Sequence, residues 1–589
     1  MKFFKVVFAS ALGYLLVVVV FFLISVLIIA GLSNLGGSDQ VEVKDNTVLH
    51  LKFNYPIKDH IVEENPFEAL NTGNGVSGPK GLDMILDNID KAKEDESVKG
   101  IFLDLTFVDA GMAKLEEIRN ALLDFKSTGK FIHAYSEVYY NSTYYLASVA
   151  DKVYLNPSGE FFFNGMVADI AFFRDALDKL GIEMQVVRHG KFKGAVEPFV
   201  NDKLSDENRY QIQQYLNSIY GVMVDAIEQD RNIPRITILD VADKFTIRNP
   251  KGALKYGFVD SLVYKDAMND LMAERLDLED VKDLHFVTLD KYNKVKVKGG
   301  KKDGRIAVVY AQGNIVSGRG QSDEIGSESL VETLHKVRKS KRIDAVVLRI
   351  DSRGGSALAS EIILREARLL AQDKPLIVSM GDVAASGGYY IAMAADTIVA
   401  LPSTITGSIG VFGLIPNAGE MFNENLGIHF DYVKTGEMAD FGRIDRPMTT
   451  KEREILQGMI EEIYDQFITR VSDGRNIPKD QVDSLGQGRV YTGTMAGDNG
   501  LVDILGGLDS ALSIAAYKSG LNEFKVVRYP KKVNPFEQAL KSLGEAKLNA
   551  KEDVLKEELG TLYPVYESIR QAKNMKGAQM LMPYTIRLN

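Results

Sequence analysis

Ser386 stands in the run AASGGYY, directly after the apolar, strand-like PLIVSM and directly before the helix-like YYIAMAA. A strand-to-helix turn exposes a side chain and leaves free backbone N–H groups at the helix start. Gly387 and Gly388 let another backbone come close. A serine so placed could attack a carbonyl carbon while nearby amides hold the oxyanion. Small-Ser-Gly-Gly turns also serve packing alone, and the run is not the G-x-S-x-G elbow. A second turn, in LRIDSRGGSALASE (Leu348 to Glu361), closes a strand at Gly354-Gly355 and enters a helix. It can present an amide to a developing oxyanion, or be a plain turn. The seven histidines, His50, His60, His133, His189, His285, His335 and His429, lie in no motif resembling a triad partner. A lysine can replace histidine as base if burial or a neighbouring cation lowers its pKa. Lys193, in HGKFKGAVEPF, has Phe192, Ala195, Val196, Pro198 and Phe199 around it. Most lysines are solvated surface groups, so this reading depends on what positions the residue.

The positioning elements come in two related sets. Ala134 to Ser158 (AYSEVYYNSTYYLASVADKVYLNPS) aligns without gaps on Ser379 to Ser403 (SMGDVAASGGYYIAMAADTIVALPS) at an offset of 245. GIFLDL (Gly100 to Leu105) matches AVVLRI (Ala345 to Ile350), and GIEMQVVRHG (Gly181 to Gly190) matches GIHFDYVKTG (Gly427 to Gly436). Matches in the same order argue for duplication of a whole unit. Within each half, short apolar runs alternate with amphipathic stretches, which predicts parallel strands joined by right-handed helical crossovers, an α/β class. Glu207 to Asp230 and Thr450 to Asp473 read as helices, each followed by RNIP. Asn534 to about Lys573 is charged and helix-prone, a solvated face or a docking tail.

A length of 589 residues with 45% hydrophobic content allows more than one core. The net charge of −10 argues against a general nucleic-acid binder, which needs a basic face. The absence of cysteine removes thiol nucleophiles, disulfides and thiolate metal sites. Lys2 and Lys5 precede an apolar run from Val6 to Leu32, longer than the roughly 20 residues that cross a bilayer. That predicts a transmembrane helix with its N-terminus in the cytoplasm and the body outside it, rather than a cleaved leader. Gly36, Gly37 and Ser38 read as a linker.

GKFKGAVEPF, DSRGGSALASE, GDVAASGGYYIAMAAD and TGSIGVFG occur in this order. With the N-terminal run and the duplicated body, they resemble the long, two-domain form of signal peptide peptidase A (protease IV) over essentially the whole chain. The resemblance implies an α/β fold of two tandem Clp-protease/crotonase-like domains after an N-terminal transmembrane helix. The expected division is an anchor at 1–35, a first domain at 45–300 carrying the catalytic lysine, a second at 301–530 carrying the serine, and a helical tail at 531–589. Ser386 is then the nucleophile and Lys193, from the other half, the general base. Ser408 in TGSIG orients the lysine, and the amides of Gly355 and Gly387 form the oxyanion hole. No metal or cofactor is implied. The resemblance further implies a membrane-tethered homotetramer that degrades remnant signal peptides and other apolar peptides. The expected place is the bacterial inner membrane, with a periplasmic catalytic body.

The repeat supplies an independent check. Asn141 stands opposite Ser386, Phe163 opposite Ser408, and Ala439 opposite Lys193. Each half keeps what the other lost, as one composite site requires. Two positions depart from the family pattern: Arg353 stands where proline usually precedes Gly-Gly, and Asp351 where asparagine is common. Without proline's fixed φ the turn is less constrained, which leaves Gly354 open as the oxyanion donor. Two other readings remain at this level: an acyl-CoA hydrolase on a crotonase-like fold, which gives Lys193 no role, and a catalytically dead envelope scaffold, which should tolerate loss of Ser386.

Overall fold

A computed structural model describes residues 10, 12–21, 43–62, 78–295, 303–321, 323–531 and 577–582. The alternating apolar and amphipathic runs form two α/β units. In the first, parallel strands lie in the order Ser261–Leu262, Lys152–Phe161, Phe131–Tyr139, Val98–Asp104, Thr47–Leu51 and His285–Thr288. In the second, Ile504–Leu505, Thr397–Ala400, Leu376–Ala385, Ala345–Ser352, Gly304–Gln312 and Phe524–Tyr529 repeat that order, also in parallel. Central strands such as Ala345–Ser352 (AVVLRIDS) are buried almost throughout, as expected where both faces of a parallel sheet are covered.

The repeated RNIP has a local cause. Helices Asp206–Arg231 and Thr450–Arg475 start on the side-chain caps Ser205 and Thr449. They end at Asn232 and Asn476, both left-handed (φ 52° and 53°), the conformation asparagine tolerates at a helix end. The following proline then starts the next helix.

A third sheet ties the halves together. Its order is Glu324–Gly326, Asn314–Val316, Gly354–Ser356, Gln579–Leu581, Val411–Asn417 and Glu183–His189. The first-half strand Glu183–His189 runs antiparallel to Val411–Asn417 of the second half, from His189 opposite Val411 to Glu183 opposite Asn417. Buried charges reinforce this join. The Arg349 guanidinium, on a second-half strand, donates to Asp59 Oδ1 (2.8 and 2.9 Å) and Glu117 Oε1 (2.7 Å), both first-half carboxylates. Lys114 of the first half binds Asp351 (2.5 Å) and Asp382 of the second.

The N-terminal transmembrane expectation is corrected. Among the described residues, no helix is long and apolar enough to cross a membrane. Residues 12–21 are helical. The rest of Val6 to Leu32, and the linker at 36–38, lie outside the described residues. The anchor at 1–35 in the fold, the membrane as partner, and the inner-membrane placement with a periplasmic body are therefore not retained. The membrane-tethered homotetramer acting on remnant signal peptides and other apolar peptides belonged to that picture and is not retained either. Of the expected helical tail, only 531 and 577–582 are described, and the latter contain a strand; the stretch 534–573 lies outside.

Candidate active site

Ser386 ends strand Leu376–Ala385 and precedes helix Gly387–Ala392. Its backbone is at φ 56°, ψ −115°, a conformation L-residues rarely adopt and one that persists only where the surroundings fix it. Here its N–H donates to the Gly407 carbonyl (2.8 Å), and Ala385 pairs with Gly407 in the sheet. Ser408, next in that chain segment, also has positive φ (52°). Gly387 is required for space: a Cβ there would lie 2.7 Å from Ser360 Oγ.

Lys193 enters from the other half. Strand Glu183–His189 carries the chain to the second half, and Phe192 N–H donates to the Gln487 carbonyl (2.9 Å). The lysine's slot is walled by second-half glycines: a Cβ on Gly488 would lie 2.6 Å from Lys193 N, and one on Gly410 3.2 Å from its Cδ. Lys193 Nζ reaches Ser386 Oγ at 2.7 Å and both the Oγ and carbonyl O of Ser408 at 3.0 Å. All three residues are fully buried. Burial alone drives the lysine pKa well below its ordinary value, since no carboxylate pairs with it. The nearby Glu197 is used elsewhere. It accepts from Ser205 Oγ and Asn208 Nδ2 (2.6 Å each), fixing the lysine loop to the start of helix Asp206–Arg231. Gln211 on that helix donates to the Phe192 carbonyl (2.9 Å) and accepts from Val490 N–H (3.0 Å), a second tie across the halves.

The sequence singled out neither Glu197, Asn208 nor Gln211; the buried glutamate inside GKFKGAVEPF was the available signal. The structure does bring together Ser386, Lys193 and Ser408. Gly355 and Gly387 are close neighbours as well: a Cβ on Gly387 would lie 3.2 Å from Gly355 N. Ser352 Oγ holds the Gly354 N–H (3.1 Å) while donating to the Gly313 carbonyl (2.6 Å), so the turn is fixed without proline. No histidine among the described residues hydrogen-bonds Ser386; His60 is held by Asp83 (2.8 Å) and His189 by Glu461 (2.5 Å). In the first half, Asn141 opens helix Asn141–Ala147 and donates to the Gly165 carbonyl (2.7 Å). Phe163 fills the counterpart of Ser408 and packs on Phe258 (ring centroids 5.6 Å apart). That half is plugged with aromatic rings where the other holds its polar cluster. A cavity of about 1190 Å³ opens beside Ser352 and Arg353, lined also by Lys114, Asp351 and Met582, and does not include Ser386 or Lys193.

Peptidase family S49 matches twice, over residues 124–279 and 368–522, once in each half. "Serine protease SPPA, chloroplastic" of Arabidopsis thaliana is 35% identical over 452 residues, covering 75% of this chain and 66% of that protein. "Protease 4" of Haemophilus influenzae is 34% identical over 462 residues, covering 76% of this chain and 75% of that protein. A ClpP1 mutant of Listeria monocytogenes aligns over 35% of this chain and 94% of its own at 16% identity, but its TM-score of 0.24 supports no structural argument. With a family match in both halves and relatives aligned across both, this chain belongs to peptidase family S49, the signal peptide peptidase A (protease IV) serine peptidases.

Proposed function

We propose that peptide hydrolysis runs through acyl transfer at Ser386, with Lys193 as general base. The observation that carries this is the buried, carboxylate-free amine 2.7 Å from Ser386 Oγ. Neutral Lys193 takes the hydroxyl proton as Oγ bonds to the substrate carbonyl carbon. The N–H groups of Gly355 and Gly387 face the oxygen as it gains charge. When the tetrahedral intermediate collapses, the C–N bond breaks and Lys193 returns the proton to the leaving amine. Water, losing a proton to Lys193, then releases the acyl group and restores Ser386. A non-catalytic scaffold gives no reason for desolvating a lysine against a strained serine.

A fluorophosphonate, which acylation-competent serines attack, tests the nucleophile. Peptide mapping is expected to find the adduct on Ser386 and none in Ser386→Ala. An adduct on another serine would contradict the proposal.

Only neutral Lys193 can accept the proton. Activity in kcat/KM therefore rises with pH along a limb set by Lys193 in the free enzyme, well acid of the ordinary lysine value of about 10.4. A rate–pH profile rising only near that ordinary value would contradict the assignment. Ser408→Ala removes one of the Lys193 contacts and lets the amine swing. A fall in kcat of about 10- to 100-fold with KM little changed is expected; a change in KM alone would place Ser408 in substrate binding instead.

A further inference from the structure

The first half lacks a serine opposite Ser386, yet it keeps the edge that faces such a residue. Residues 109–111 stand at the repeat offset of 245 from Gly354–Ser356. Each run is held on one side by a parallel partner. Ile315 pairs with Gly355 in the second half. In the first, Pro56 pairs with Asp109, and Ile57 N–H donates to the Asp109 carbonyl (2.9 Å). On its other side Gly354–Ser356 carries a further strand. Among the described residues, no second strand pairs with 109–111. Asp109, Ala110 and Gly111 instead line the cavity of about 1190 Å³. Tyr140 and Ser142, which flank Asn141, line it too. The cavity therefore lies against the first-half counterpart of the Ser386 site.

Its chemistry suits an extended apolar chain. Ile57, Phe107, Val108 and Ile219 of the first half and Val383 and Ile405 of the second form an apolar wall. The Phe107 ring is 58% exposed, so it is available to a ligand rather than committed to a core. The charged lining is balanced: Lys58, Lys114 and Arg353 stand against Asp109, Asp351 and Asp382. Lys114 is already bound to Asp351 and Asp382. A phosphate-bearing ligand finds no surplus of positive charge there. The volume also exceeds the roughly 300–1,000 Å³ of small-molecule sites. A main-chain edge beside an apolar wall is a general way of binding an extended peptide: backbone bonds supply affinity, and side-chain pockets supply specificity.

The cavity also borders the catalytic half. Ser352 and Arg353 line it, and they directly precede the Gly354-Gly355 turn that faces Ser386. A polypeptide long enough can lie in the cavity and still reach the dyad across those two residues.

We propose that the first-half counterpart site is a peptide exosite, in which the edge at 109–111 and the Phe107 wall hold an apolar stretch of the substrate polypeptide remote from the scissile bond. This rests on Ser386 being the nucleophile. It makes the enzyme selective for long, unfolded apolar chains over short ones.

The test uses the full chain and two substrates: a short apolar peptide ester, and an apolar peptide of roughly 20 residues, about 65 Å when extended. Phe107→Glu places a carboxylate on the apolar wall, and Ala110→Trp fills the cavity. Each is expected to lower the ratio of kcat/KM for the long peptide over the ester by roughly 10-fold, mainly through KM. In a Ser386→Ala background, which holds the long peptide uncleaved, the same two changes should weaken its binding by a similar factor in fluorescence anisotropy. An unchanged ratio in folded variants would overturn the inference, leaving Ser386 as nucleophile intact. So would a change of oligomeric state in light scattering with both substrates slowed alike, because the cavity would then join copies of this chain. Loss of the folded state in both variants would overturn it as well, since the wall would then be structural. Absence of turnover of either substrate by the parent would overturn the Ser386 reading and this inference with it.

Discussion

Lys193→Met is expected to lower kcat/KM by roughly 10⁴-fold, the upper range for loss of a general base, and at the same time to raise the thermal midpoint. The activity effect follows from position: among the described residues no other amine or imidazole hydrogen-bonds Ser386 Oγ. The stability effect follows from linkage. Burial holds the Lys193 pKa below its value in the unfolded chain. Between those two values the unfolded state carries the extra proton, so stability rises with pH across that window and is lowest below it. At neutral pH the parent therefore bears a cost that methionine, of similar shape and no charge, does not. The gain should shrink as pH approaches about 10, where the unfolded lysine also loses its proton. Melting curves of parent and variant at pH 7 and pH 10 check this; a variant less stable than its parent at pH 7 would mean the amine is held by favourable contacts rather than tolerated for chemistry.

Arg349→Met is the largest expected loss of stability. Arg349 is almost wholly buried and binds Asp59 and Glu117, so its removal leaves Glu117 without its cation and Asp59 with only the more distant Lys114 (3.7 Å). Breaking such a buried pair costs about 3–5 kcal/mol. Burial pushes the Asp59 carboxyl up, but Arg349 and Lys114 outweigh it and hold it at about 2. The stabilisation from Asp59 is thus present above the ordinary aspartate range and is lost as pH falls towards 2. Urea unfolding at pH 7 measures the loss, and Arg349→Met with Asp59→Asn and Glu117→Gln should recover much of it. A single variant within 1 kcal/mol of the parent would contradict the lock.

Much of this was legible in the sequence because the chain says it twice. Strand order could be transferred from one half to the other, and the losses at Asn141, Phe163 and Ala439 pointed to one shared site. The Ser386 turn was readable from its strand, its glycines and its helix. What could not be read was contact between distant segments. Nothing in GIEMQVVRHG announces pairing with Val411–Asn417, and Glu197 resembles a surface glutamate until Ser205 and Asn208 close on it. Arg353 looked like a loosened turn, whereas Ser352 fixes the turn and Arg353 holds Met582. The apolar run near the N-terminus carried the membrane expectation on hydropathy alone, and among the described residues no helix is long and apolar enough to cross a membrane.

The most direct test of the composite site is hydrolysis of a short apolar peptide ester by the full chain, beside Ser386→Ala and Lys193→Met. The account predicts measurable turnover by the parent and its collapse in both variants, each still folded. Near-parental turnover by folded Lys193→Met would contradict the account, because another group would then be taking the proton.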